Sequence, residues 1–370
     1  MKKLEVKKLI PYVGLMVMCA TVTGCVQQAA TQSTTDTTIS TEDISSKEIN
    51  EMPEGKAPED APEKPDGEAP NGERPDGAPE KPDGEAPDGA PGGGFGGGGM
   101  SSADIDYSGA VEITSSDSQK GKTYSSTTAD ESALLIETSE DVTITDATVT
   151  KTGDSDGGDN CNFYGLNAAV LVKDGSTTTI TGGTITSDAD GANGVFSYGG
   201  NGGQNGSTGD GTTVNISDTA ITTTGDGSGG IMTTGGGVTN AKNLTVTTSG
   251  QSSAAIRTDR GGGTVTVDGG TYTTNGLGSP SIYSTADITV SNATLVSNLS
   301  EAVCIEGMNS ITLTDCDMTA NNTQMNGNAT FLDSIMIYQS MSGDADSGTS
   351  TFDMTGGLTY KQKWSCIPCN

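Results

Sequence analysis

The chain has 370 residues, 18 Lys and Arg against 48 Asp and Glu, a formal net charge of −30 and no histidine. Aromatic residues make up only 4% of it, while glycine alone numbers 54. This excludes histidine-based zinc sites and histidine-dependent triads. It argues against nucleic acid as a partner and against a helical domain, because Gly, Thr, Ser and Asp are weak helix formers.

At the N-terminus Lys2, Lys3, Lys7 and Lys8 precede an apolar run from Leu9 to Ala20, shorter than an ordinary membrane span. The run ends in Val22-Thr23-Gly24-Cys25, which resembles the lipobox of bacterial lipoproteins. That resemblance implies cleavage before Cys25 and lipidation of its thiol, with a membrane lipid anchor on the extracellular face of the cell envelope. Loss of residues 1–24 removes four Lys and one Glu, leaving 14 basic and 47 acidic residues, a charge of −33. Residues 25–103 read as a disordered acidic linker. Its first part is rich in Thr, Ser and Gln, residues 51–91 repeat EKPDGEAP-like units, and 92–99 are glycine interrupted by Phe95. Such a Pro-rich, like-charged spacer extends, reaching on the order of 100 Å.

From about residue 104 a short unit recurs: two apolar residues a step apart, an Asp, Asn or Gly with a small neighbour, then another apolar residue. It reads VTITDATV at 142–149, TITGGTI at 179–185, VNISDTAI at 214–221, VTVDGGTY at 265–272, ITVSNATL at 288–295 and ITLTDCDM at 311–318. Looser copies are VTNAKNL at 238–244 and FDMTGGL at 352–358. Taking the second apolar residue as a ruler gives Ile144, Ile180, Ile216, Val238, Val267, Val290, Leu313 and Met354, in steps of 36, 36, 22, 29, 23, 23 and 41. A base period in the low twenties built on Thr/Val/Ile strands is a solenoid signature. Upstream partner strands, among them ALLIE at 133–137 and AAIRT at 254–258, predict two strands per turn of a parallel β-helix. A turn of that length has no room for a helical crossover.

Insertions are expected at Asp154–Phe163, Gly199–Gly211, Asn321–Asp333 and Met341–Ser350, on loops that commonly serve binding. The repeat then breaks after Leu358. The expected division is a signal peptide at 1–24, the linker at 25–103, a β-helix at 104–358 and an irregular tail at 359–370, the mark of a truncated or altered C-terminus. None of Cys161, Cys304 and Cys316 has a spacing that demands a disulfide. Cys366-Ile-Pro-Cys369 lies outside the βαβ context of a redox motif.

The segments GKTYSSTTADESALLIE, FYGLNAAVLV, AAIRTDRGGGTVTVDGGTYTTNGLGSPSIYSTADI, EAVCIEGMNSITL and IMIYQSMSGDADSGTSTFDMTGG resemble secreted β-helix proteins of anaerobic gut bacteria and methanogens, usually called adhesin-like or carbohydrate-binding. The likeness covers roughly residues 105–358. It implies an all-β fold, a single-stranded right-handed parallel β-helix solenoid preceded by a disordered stalk. It also implies a non-catalytic protein binding a polysaccharide or a host or plant glycan, and a monomer is expected.

Taking Ile256, Ile282, Ile305 and Ile337 as inward-pointing sets Arg257, Tyr283, Glu306 and Tyr338 outward on successive rungs, followed by Met232, Lys173 and Glu137. Such an exposed ladder would grip a sugar chain by ring stacking and hydrogen bonds; a solvated face with cross-rung ion pairs is the plainer alternative. Arg257, Asp259 and Arg260 form the most unusual local segment, holding two of the three Arg of the chain. On an enzyme they would supply a base or clamp, with Asp259 and Glu306 on calcium, as in a polysaccharide lyase, or paired carboxylates, as in a glycoside hydrolase. No multi-Asp rung converges on them, and fold alone confers no activity. A passive structural envelope protein is the third reading. Asp154, Asp156 and Asp159, and Asp344 with Asp346, have loop spacing compatible with calcium, the one cofactor that the sequence suggests.

Overall fold

The computed structural model describes residues 105–155, 158–200, 208–325, 332–338 and 349–361. Cys25 and the linker, Asp156, Asp344, Asp346 and the Cys366/Cys369 pair lie outside these residues.

One coil shows how the chain winds. Leu134–Glu137 lies on a first face, Val142–Thr145 on a second and Thr148–Thr152 on a third. The chain then returns to the first face with Val170–Lys173, which pairs in parallel with Leu134–Glu137. Repeated along the chain, this is a parallel β-helix, the fold class expected from the sequence. Face 1 is a nine-stranded parallel sheet, and faces 2 and 3 are joined in a sixteen-stranded one.

Each coil carries three strands, not the expected two. The apolar residue that closes each sequence unit belongs to a strand of its own, on the far side of a one-residue corner. That corner is occupied by Gly121, Asp146, Gly182, Asp218, Asn243, Gly269, Asn292, Asp315 and Gly356, all with φ between 51° and 75°. Gly, Asn and Asp are the residues for which left-handed backbone costs least. The hydrogen-bond ladder runs through the corner without a gap: Asp146 N donates to Thr181 O at 2.8 Å, Gly182 N to Ser217 O at 2.9 Å, and Asp218 N to Lys242 O at 3.0 Å. Because the corner is one residue wide, two such units, Gly237–Thr248 and Gly263–Thr274, form unbroken strands across it.

The core is a set of stacked aliphatic rows. On face 2 the row runs Ile144, Ile180, Ile216, Ala241, Val267, Val290, Leu313, Met354. Ala241, not Val238, is the fourth mark of the ruler, and the uneven steps of 22 and 29 become 25 and 26. Val238 pairs with Thr213 and Thr264 on the outward side and is half-buried. The inward site next to it goes to Thr239, whose hydroxyl is satisfied by Thr233 at 2.7 Å. Hydroxyls occupy a second interior stack. Thr223, Thr248 and Thr274 donate to the carbonyls of Ser228, Ser253 and Ser279, and Ser253 and Ser279 accept the backbone N–H of Ser228 and Ser253 at 2.9 Å. Residues that look solvated in the sequence are thus buried, each with its hydrogen bond made internally.

The last strand of face 3, Leu358–Lys361, pairs with Asp317–Ala320 and carries the coil past Leu358, where an irregular tail was expected. Among the described residues the free cysteines Cys161, Cys304 and Cys316 are all buried; Cys161 lies in a short helix, Asp159–Tyr164, rather than in a loop.

The corner supplies a direct test. Gly183, next to the corner residue Gly182, has φ 81°, and a Cβ there would sit 2.1 Å from the Ala147 carbonyl oxygen. Gly183→Ala is expected to destabilise the fold by about 1–3 kcal/mol or more, read as a lower urea midpoint at unchanged m-value.

Candidate functional site

The outward row of face 1 is Leu135, Leu171, Phe196, Met232, Arg257, Tyr283, Cys304, Met336. Ile282 pairs with Val303, not Ile305, so Glu306 and Tyr338 stand two residues along, in the neighbouring outward row. A two-residue offset keeps a side chain on its face. The residues therefore still meet: the phenols of Tyr283 and Tyr338 both donate to Glu306 Oε2, the latter at 3.0 Å, and lie 3.3 Å from each other.

The ladder expected to be exposed is not. Arg257, Asp259 and Glu306 are 7%, 3% and 3% exposed, and Tyr283 and Tyr338 are half-buried. Tyr283, Glu306 and Tyr338 pack on one another, and at the Arg257 end the first insertion folds over face 1. Its helix Asp159–Tyr164 sets Phe163 and Tyr164 on Leu135, Leu171, Phe196 and Met232, with Tyr198 edge-on to Tyr164 at 5.7 Å. Arg257 closes the far side of this roof. Its guanidinium donates to Asp259 Oδ2 at 2.7 Å and Asn162 Oδ1 at 3.1 Å, and lies 5.7 Å from the Tyr283 ring. Arg260 covers the Phe163 ring at 4.3 Å. Phe163, closing an otherwise mostly polar insertion, and Tyr164 directly after it were the signal for this packing. Further along, Lys173 pairs with Glu137 at 2.5 Å and lies 4.8 Å from the Tyr107 ring, the cross-rung ion pair foreseen as the plainer alternative.

Burial sets the protonation of this cluster. It pushes the Tyr283 phenol well above its ordinary value and raises Tyr338, Tyr107 and the Cys304 thiol, while Tyr198 is pushed up to about 12. The tyrosines are therefore neutral donors, and the carboxylates of Glu306 and Asp259 are occupied by phenols and a guanidinium.

Asp154 belongs to a different ladder. Its Oδ1 accepts the N–H of Asp190 at 2.9 Å, Asp190 Oδ1 that of Asp226 at 2.8 Å, and Asp226 Oδ1 that of Gln251 at 2.7 Å. Asp154 thus caps the next rung's backbone, and Asp159 opens the roof helix, exposed. Among the described residues no three Cys, Asp or Glu side chains gather as a metal-holding group.

Face 3, like face 2, is left open by the insertion. Two outward rows run along it: Thr148, Thr184, Ala220, Thr245, Thr271, Thr294, Asp317, and Thr150, Thr186, Thr222, Thr247, Thr273, Val296, Thr319. The T-x-T after several corners, as TVT, TIT, TVT and TYT, announced these rows but was read only as part of the structural repeat. A shallow depression of about 270 Å³ crosses three rungs, lined by Thr150, Thr152, Thr186, Asp188, Thr222 and Thr224. Beneath it Lys151, fully buried, donates to the carbonyls of Thr128, Thr152 and Gly153 at 2.7–2.9 Å. Burial lowers its pKa.

Two outcomes follow for the roof and its clasp. Arg257→Met leaves Asp259 buried without its cation, and is expected to cost roughly 3–5 kcal/mol, seen as a lowered melting temperature. The raised tyrosines make stability pH-dependent on the alkaline side. Above about pH 10 the unfolded chain releases phenolic protons that the folded chain keeps. Their contribution is complete below that pH and is lost above it, by about 1.4 kcal/mol per pH unit for each such tyrosine. Urea midpoints measured from pH 8 upward check the onset and slope.

No protein-family model, curated protein or solved structure matches this chain.

Proposed function

We propose that this protein is a non-catalytic, adhesin-like protein of the bacterial cell surface that binds a polysaccharide or glycan. In this reading it is anchored through lipidated Cys25 and held away from the envelope on its acidic Pro/Gly stalk. One observation carries the proposal: a chain of net charge −30 keeps a two-row strip, threonine at every position but Ala220 and Val296, free of charge from Thr148 to Thr294. An uncharged, hydroxylated, regularly spaced surface suits a partner that is itself a repeating array of hydroxyls. Further support comes from Arg257, Asp259 and Glu306, the groups that would serve a lyase or hydrolase. Each is nearly buried and engaged with its neighbours.

The test is a glycan array probed with the full chain, with and without calcium, alongside assays for reducing and unsaturated ends. Retention of polysaccharide with no product is expected. Release of either kind of end would overturn the non-catalytic assignment. A rise in melting temperature on adding calcium would report ion binding by the acidic insertions carrying Asp154, Asp156, Asp159, Asp344 and Asp346.

A further inference from the structure

We infer that face 3 binds a neutral, extended polysaccharide laid along the coil axis, with one sugar unit over each rung; this rests on the carbohydrate-binding reading above. Parallel rungs repeat at about 4.8 Å, close to the length that one pyranose adds to an extended β-1,4-linked chain. A polymer running along the axis therefore stays in step with the protein over several units. Across the axis, the two outward rows are about 6.7 Å apart, two residues of extended strand, so one ring straddles both. A depression across three rungs borders this strip, between the second row at Thr150, Thr186 and Thr222 and the next outward positions Thr152, Asp188 and Thr224; with Ser187, seven hydroxyl or carboxylate side chains line it.

The local chemistry favours a hydroxylated ligand without charge. Thr186 Oγ1 donates to the Val149 carbonyl at 3.1 Å, so its lone pairs are preset to accept from a sugar hydroxyl. Thr224 Oγ1 donates to Asp188 Oδ1, which fixes that pair in the same acceptor role. The γ-methyl groups of the same threonines offer apolar contact to the C–H faces of a ring. No Lys or Arg stands in either row, and the nearest cation, Lys151, is fully buried with three carbonyl partners. A polyuronate would find no counter-charge on the strip and a strongly acidic protein around it. The ligand class is thus a neutral glucan, xylan or mannan rather than a pectic acid.

Titration calorimetry of the full chain with β-1,4-linked gluco- and xylo-oligosaccharides of three to six units tests this, with polygalacturonate as the charged comparison. Affinity is expected to rise with each added unit, since each meets another rung. The pair Thr186→Glu and Thr222→Glu, at exposed positions, is expected to weaken binding at least about tenfold. Thr186→Val with Thr222→Val, which keeps the β-branched shape, should weaken it less. Thr143→Glu with Thr266→Glu on face 2 should leave it unchanged, and melting curves confirm that each variant folds. Oligosaccharide binding indifferent to the face 3 changes overturns the assignment of this face and leaves the carbohydrate reading standing. Binding of polygalacturonate alone overturns the neutral class, and failure to bind any carbohydrate overturns the reading and the inference together.

Discussion

Everything in this molecule depends on carrying a parallel hydrogen-bond ladder around a corner without dropping a bond. The corner does this with one left-handed residue, or two at the Gly-Gly corners, and Asp146, Asp218, Asn243, Asn292 and Asp315 show that Gly is not required at the first, provided that the side chain is short and polar. Because the ladder never opens, every coil stacks in register on its neighbours. Small β-branched residues can then build a core that would be too thin in a globular domain of so few aromatics. The same constraint explains how many interior Ser and Thr are tolerated: the hydroxyls of Thr223, Thr248 and Thr274, for example, bond to carbonyls that the stacking brings within reach.

A rigid stack has a consequence for function. Outward side chains form straight rows, so a property repeated in sequence becomes a surface. On face 1 the rows hold Leu135, Leu171, Phe196 and Met232, an apolar strip that needs cover, and the first insertion supplies it with Phe163 and Tyr164. Arg257, Asp259, Tyr283, Glu306 and Tyr338 continue that face as a polar cluster in which a guanidinium pairs with one carboxylate and two phenols donate to the other. On face 3 the rows hold mostly threonine, which needs no cover and is left open. The most chemically diverse residues are accordingly the structural ones, and the monotonous ones face the outside.

That inversion accounts for what was legible in the chain. The Asp/Asn/Gly corners, the Thr/Val/Ile strands and the spacing in the twenties identified a parallel β-helix before any coordinates. The direction of Arg257, Tyr283, Glu306 and Tyr338 away from the coil interior followed from alternation alone. Their contacts did not, because Ile282 stacks on Val303 rather than on Ile305, and alternation is blind to a shift of two residues. Val238 misled for a similar reason: its apolar side chain suggested an inward site that the register assigns to Thr239 and Ala241. The third strand of each coil was missed because a corner one residue wide leaves no gap between strands for a sequence pattern to show.

By itself, then, the amino-acid sequence determined the class of fold, the positions of its corners and the uncharged character of its threonine rows, since these depend on local backbone preference and period-two alternation. Tertiary structure alone decided which rows are covered. Exposure on a β-helix depends on where an insertion folds back, and the insertion that carries Asp154 and Asp159 docks on face 1 because Phe163 and Tyr164 find an apolar strip assembled from four different rungs. No segment of the chain contains that strip; it exists only once the rungs are stacked.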